Sequence, residues 1–305
     1  MTSVRTAIPP QLRLQVGRRK GSGRWLFLAP LIVVMGATTI FPIAYAGFLS
    51  LFNWNWGARF NFVGLDNYAH LMTDGVYWAS VGRTVSFAIT AVAIELVLGL
   101  ALAVVVNRLA GGVGWVRTIL MLPMMVSGIV VSLVWKIMLD PTLGVIPHLL
   151  GAFGLKSVDL LGNPHAALIT VAGIDSWWQT GFVFIVLSAS LGALPEECFE
   201  AARVDGATSR QCFWHITLPL LRPALLTVAA IRMVDCLKVF ALIYGTTEGG
   251  PQNATEVTQI LVYRRAFKEF AMSESMTMML VYSALVVLVL ATAYLVYRKW
   301  GSREA

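Results

Sequence analysis

Residues 195–223 read PEECFEAARVDGATSRQCFWHITLPLLRP, a long polar segment set between two apolar runs. Pro195 can open a short helix, because its missing N–H is not needed in a first turn. Asp205-Gly206 breaks that helix, and Gly206 is free to take the left-handed conformation that ends many helices. Thr208 and Gln211 stand three apart, the spacing of a capping box that starts a second helix. Pro219 and Pro223 are expected to limit that second helix and return the chain to apolar sequence. The product is helix, tight turn, helix, held at a membrane surface.

The membrane follows from composition. Of 305 residues, 57% are hydrophobic and 13% charged, with a mean hydropathy of +0.73. Soluble domains carry about 45–50% apolar and about 25% charged residues. Several apolar stretches exceed the roughly 18 residues needed to cross a bilayer. The reading is an all-α polytopic membrane protein with about six transmembrane helices and both termini cytoplasmic.

The spans fall at about 25–52, 84–106, 118–139, 166–191, 224–244 and 276–296. Residues 1–24 form a basic cytoplasmic tail, 25–298 the transmembrane domain, and 299–305 a short cytoplasmic tail. The Arg-rich start and Ala44-Tyr45-Ala46 mimic a secretory signal, but the apolar run is too long for one and is read as an uncleaved first helix. Trp54, Trp56, Tyr68, Tyr77 and Trp78 suit a membrane–water boundary.

The net charge of +7 forms no single patch, so no nucleic-acid partner is expected. The cations sit at the ends of apolar segments, as the positive-inside rule requires. Fourteen of the 23 Lys and Arg fall in the segments read as cytoplasmic, and six, Arg59, Arg83, Lys156, Arg264, Arg265 and Lys268, in external loops. That bias places 195–223 inside, with anionic lipid as a lesser partner of the basic N-terminus. Cys198, Cys212 and Cys236 have no paired spacing, and the four histidines show no ligand spacing, so neither a disulfide nor a metal site is expected.

The polar loop resembles the EAA loop of ABC-importer permeases. Glu200, Ala201, Ala202, Gly206, Ile216, Leu218 and Pro219 fill its pattern, with Asp205 in the turn. The likeness extends to Phe62-Val63-Gly64-Leu65-Asp66-Asn67-Tyr68, to Leu122-Pro123, to Trp135 with Gly144, to Tyr244–Pro251 and to Ala266-Phe267. It covers roughly residues 25–298 and resembles the binding-protein-dependent sugar permeases of the maltose and glycerol-3-phosphate type. The resemblance implies a cytoplasmic coupling loop seated in an ATPase cleft. It also implies a second permease subunit, two ABC ATPase copies and an external solute-binding protein, in a bacterial inner membrane. No phosphate loop G-x-x-x-x-G-K-[ST] occurs, since Lys156-Ser157 follows Leu155. No catalytic residue or cofactor of its own is therefore expected, and ATP belongs to a partner.

Ionisable residues within hydrocarbon cost at least about 2.5–3.5 kcal/mol each on insertion scales. They are Glu95, Lys136, Asp175, Arg232, Asp235 and Lys238. Lys136 is read as snorkelling near an outer end. Arg232, Asp235 and Lys238 are spaced by three, which places Asp235 between two cations on one helix face. That arrangement either neutralises the helix for insertion or lines a path. Asp175, Trp177, Trp178 and Gln179 supply the hydrogen-bonding groups and ring faces a sugar needs, so Asp175, Trp177, Trp178, Gln179, Arg232 and Asp235 are the substrate-path candidates. The competing class is a self-sufficient channel or ion-coupled transporter, in which these charges hold a coupling ion and 195–223 is a plain loop. A cysteine placed near Gly250 is expected to react with an impermeant thiol reagent from outside and one near Gly112 to be protected. The opposite labelling pattern overturns the orientation.

Overall fold

The computed structural model describes residues 22–56, 60–109, 114–153 and 159–301. The expected basic tail lies outside these residues as far as residue 21. The chain divides into two compact units, residues 1–45 and 46–305. Described by itself, the first unit is helical: α1 (Ser22–Met35), a π-helical turn (Gly36–Ile40) and the start of α2 (Phe41–Leu49).

The second unit is almost wholly helical. A two-residue ribbon, β1 (Phe52–Asn53) with β2 (Asn61–Phe62), precedes α3 (Asp66–Thr73) and the long α4 (Gly75–Arg108). Asp74 caps α4, its Oδ1 accepting from the Val76 and Tyr77 N–H groups, the role short acidic side chains favour. Next come α5 (Gly114–Met121), a 3-10 turn (Pro123–Met125), α6 (Gly128–Met138), α7 (Val145–Ala152) and α8 (Ala167–Gly192). The chain continues with α9 (Glu196–Val204), α10 (Ser209–Cys212), a π-helical turn (Phe213–Thr217) and α11 (Leu218–Leu237). It closes with α12 (Ala241–Thr246), α13 (Thr258–Tyr263), a π-helical turn (Arg264–Lys268) and α14 (Met272–Gly301).

Among the described residues, four helices are long and apolar enough to cross a membrane: Leu28–Leu49, Gly75–Asn107, Ala167–Gly192 and Met272–Thr292. The other two expected spans are interrupted. The third breaks at Val126 and Ser127, both extended, after Pro123. The fifth ends at Leu237, with Lys238 as its cap, and resumes at Ala241. The second begins nine residues earlier than expected, so Arg83 lies in α4 and not in a loop; its guanidinium donates to the Glu256 carbonyl at 3.1 Å.

A broken helix in hydrocarbon frees carbonyls that must find donors within the protein. Both breaks meet this in the same way. The Trp178 indole on α8 donates to the Val126 carbonyl at 3.1 Å, and the Tyr282 hydroxyl on α14 donates to the Leu237 carbonyl at 2.7 Å. In each case an aromatic side chain on a continuous helix completes a discontinuous one.

α4 and α8 form the central pair, with α11 against both and α12 against α6. Two apolar layers stack along this pair. One holds Phe87, Ala91, Val171, Ile174, Leu242 and Ile243, and the other Ala103, Val183, Phe184, Leu187, Leu221 and Val228. Gly181 lets α5 approach α8, because a Cβ there would overlap the Leu120 carbonyl oxygen. Gly181→Ala is expected to force the two apart, an overpacking cost of about 1–3 kcal/mol. A thermal-shift measurement in detergent should show a clear fall in midpoint; an unchanged midpoint contradicts the close approach.

An exposed hairpin and a buried ionic cluster

The polar segment folds as the residues require. Pro195, with φ −64° and ψ 122°, stands just outside α9 at its N-cap, one position earlier than a helix-opening proline would. At the other end the Gly206 N–H donates to the Arg203 carbonyl at 3.1 Å and the Ala207 N–H to the Ala202 carbonyl at 2.9 Å. This double closure needs a left-handed residue after the cap, and Gly206 supplies it at φ +76°. Thr208 and Gln211 then form the expected capping box: the Thr208 N–H donates to Gln211 Oε1 at 2.8 Å, and the Gln211 N–H donates to Thr208 Oγ1 at 3.4 Å.

The second helix does not stop at the prolines. It runs without interruption from Ser209 through the π-helical turn into α11, so Pro219 and Pro223 lie within helix. The wide turn explains the tolerance. In it the Leu218 N–H reaches back to the Phe213 carbonyl, and Pro219 falls in the first turn of α11, where a missing N–H matters least. Pro223 remains inside α11.

Glu200, Ala201, Asp205 and Gly206 are exposed on the hairpin; Ala202, Ile216, Leu218 and Pro219 are half-buried toward its base. Val204 is 87% exposed and Trp214 56%, an unusual display of apolar surface on a polar hairpin. Behind the hairpin, against the ends of α4 and α8, lies a cavity of about 750 Å³ lined by Asn107, Leu191, Phe199, Arg203 and Phe213.

Between the two apolar layers the membrane charges converge. Arg232 is 4% exposed and Glu95 fully buried. The Arg232 guanidinium donates to Glu95 Oε2 from Nε at 2.6 Å and to Glu95 Oε1 at 2.8 Å, and a further bond reaches Asp175 Oδ2 at 2.8 Å. The Cys236 thiol donates to the same Asp175 oxygen at 3.5 Å. Glu95, Asp175 and Cys236 bring atoms of metal-binding type within 4.8 Å of one another, and the Arg232 guanidinium bonds all three. Asp235 does lie between two cations, 3.7 Å from Arg232 and 3.6 Å from Lys238, but its side chain is half-exposed. The short bonds of Arg232 go elsewhere.

The sequence-level candidates therefore separate. Asp175 and Arg232 join the interior cluster, Trp178 holds the break at Val126, and Trp177 is 48% exposed beside Trp135 at 5.4 Å between ring centroids. Gln179 is half-buried. Glu95 was noted as an ionisable residue without a partner. No signal in the sequence named the partner: Lys136 lies near a span end, but Arg232 and Lys238 both fall within the expected fifth span, six to eight residues from an end.

Continuous and broken apolar helices around a buried ionic core, with an exposed helix–turn–helix at one end, define a polytopic membrane protein. Residues 95–303 match the family described as binding-protein-dependent transport system inner membrane component, and the chain belongs to that family; it is a multi-pass inner-membrane component. It is 34% identical over 240 residues to the trehalose/maltose transport system permease protein MalF of Thermococcus litoralis, covering 78% of this chain and 81% of the relative. It is 30% identical to the sn-glycerol-3-phosphate transport system permease protein UgpA of Agrobacterium fabrum, covering 86% and 91%. Among solved structures, a bacterial ABC transporter involved in alginate import superposes with a TM-score of 0.79 at 22% identity, over 90% of this chain and 95% of that one.

Removing one partner of a buried ion pair costs about 3–5 kcal/mol, because the other charge stays buried and uncompensated. Arg232→Met leaves two carboxylates facing each other, whereas Glu95→Gln leaves Arg232 still bonded to Asp175. Membrane levels should therefore fall much further in Arg232→Met than in Glu95→Gln, measured by quantitative blotting. Asp235→Asn, at a half-exposed site, should leave levels unchanged. Equal levels in all three would remove the cluster's structural role.

Proposed function

We propose that this chain is one of two permease subunits of an ATP-driven importer that carries a carbohydrate, or a related polyol or sugar phosphate, into the cytoplasm. Its partners are a second permease, two copies of an ABC ATPase and an external solute-binding protein. The observation that carries the reading is the exposed hairpin Glu196–Cys212, closed by left-handed Gly206 and continuous at its second helix with α11. The hairpin also leaves Val204 and Trp214 exposed, apolar surface on an otherwise polar segment that a docked partner would cover. Support for a sugar or a glycerol phosphate comes from the substrates named for the relatives.

In this reading the hairpin sits in a cleft of the ATPase with Glu200, Ala201, Ala202, Asp205 and Gly206 outward and Ile216, Leu218 and Pro219 at its root. Closure of the ATPases on ATP pushes the hairpin, and the membrane helices switch between inward- and outward-facing states. ATP stays on the partner, and this chain needs no cofactor or metal of its own. The solute passes beside α8 and α11, along the face of α8 that carries Trp177; Gln179, two residues on, lies on the opposite face. An apolar cavity of about 720 Å³, lined by Leu98, Ile119, Leu122, Pro123 and Trp177, opens on that face. Asp175, Arg232 and Trp178 act from behind, by holding that wall in place.

Gly206 gives the sharpest test. A Cβ there would meet nothing within 4 Å, so Gly206→Ala costs only the strain of a left-handed residue, about 1–2 kcal/mol. Gly206→Pro cannot take that conformation and also loses the bond to Arg203, which re-aims α10. Gly206→Pro should reach the membrane at normal levels while uptake collapses and the ATPase no longer co-purifies. Glu200→Lys should act in the same direction but more mildly. Normal uptake by Gly206→Pro at normal levels would reduce residues 195–223 to a connection.

A further inference from the structure

A second polar cavity, of about 400 Å³, lies at the end of the molecule opposite the hairpin. α4 fixes this placement: Asp74 at its start lines this cavity, and Asn107 at its far end lines the one behind the hairpin. The cavity is an open one, lined from β1 and the residues after it, from α3 and from the start of α14. Its volume lies within the range of small-molecule sites, about 300–1,000 Å³.

Some of its polar groups are spent on building the wall. The Asn67 amide donates to the carbonyls of Ser50 at 2.7 Å and Phe52 at 2.9 Å. Asp74 caps α4, and Ser273 Oγ accepts from the Trp54 N–H at 3.0 Å. Trp54 stacks on Phe60 at 5.1 Å with planes 3° apart. Because side chains alternate along extended chain, that stacking sends Asn53 and Asn55 to the other side, into the cavity. Among the described residues, the side chains of Asn53, Asn55 and His70 make no hydrogen bond, though all three are exposed and line it.

The chemistry of these free groups selects a ligand. Amides and an imidazole each both donate and accept, and so does a hydroxyl. A hard cation would ask for an all-oxygen shell. Neither carboxylate of the cavity is left to attract an ion, since Asp74 serves its cap and Glu274 pairs with Arg265 at 3.7 Å. We propose that this cavity is a saccharide site, in which Asn53, Asn55 and His70 bind the hydroxyls of a neutral sugar at the outer mouth of the permease. The proposal rests on the reading of the chain as a carbohydrate importer subunit with the hairpin inside, and adds a holding site remote from the wall of α8 and α11.

The test uses the complete transporter, both permeases with the ATPase, in lipid nanodiscs without binding protein. Maltose and trehalose are titrated by calorimetry into the parent and into the variant Asn55→Ala/His70→Ala. Both positions are exposed and hold no structural bond. Each lost hydrogen bond weakens binding about three- to tenfold, so the double variant should bind sugar about ten- to a hundredfold more weakly at one class of site. Parent-like binding by the variant overturns the proposal, as does a parent that binds neither sugar. A second titration adds the binding protein to parent and variant, and a loss confined to that affinity also overturns the proposal, because the cavity would then receive a protein side chain. Sugar uptake by cells lacking the chain tests the importer reading separately: uptake that depends on the chain, with unaltered binding in the variant, sinks the site alone.

Discussion

One guanidinium is shared by two carboxylates in the middle of the bilayer-spanning bundle. Arg232 bonds Glu95, 137 positions earlier, and Asp175, 57 positions earlier, so α4, α8 and α11 meet at a single point. An apolar contact slides or rotates at little cost, but a two-bond fork between guanidinium and carboxylate accepts one geometry. Buried ion pairs contribute little net stability compared with apolar side chains of the same size. Here the pair fixes register: two apolar layers lie on either side of it, and a shift of any of the three helices would leave a charge unmatched in hydrocarbon.

The breaks in the third and fifth membrane segments depend on that fixed frame. Trp178 stands three residues beyond Asp175 on α8, and its ring lies where a side chain on Gly128 would fall. Tyr282 reaches the end of α11 one residue after Cys236, itself bonded to Asp175. The donors that complete the broken helices are thus held by the same body that holds the ionic cluster. The pieces beyond the breaks, α6 and α12, pack on each other and form a separate pair.

Much of this was legible in the residues. The hairpin followed from Asp205-Gly206 and the Thr208–Gln211 spacing because those are local signals, satisfied within a few residues. The fourth span was read within about a residue at each end for the same reason. The interruptions were not legible. Val126-Ser127 and Lys238–Phe240 sit in sequence apolar enough to pass for continuous helix, and what permits the breaks is a hydroxyl and an indole from helices distant in the chain. Pro219 and Pro223 misled in the opposite direction. Local chemistry ends a helix at a proline, but the π-helical turn over Phe213–Thr217 admits one of them at a fresh first turn. Glu95 was visible as an ionisable residue, while its partner was a matter of tertiary structure.

The uninterrupted helix from Ser209 to Leu237 has a mechanical consequence. Its 29 residues make a rod about 43 Å long at 1.5 Å per residue, with one end in the hairpin and Arg232 one and a half turns from the other. A hydrogen-bonded helix resists compression along its axis far better than it resists bending, so a load at Thr208 arrives at Arg232 as thrust. Pro219, Pro223 and the wide turn before them remove or lengthen rungs of the ladder near the loaded end. That is where such a rod flexes sideways, leaving the far end stiff. The rod is compliant sideways near the hairpin and rigid along its axis.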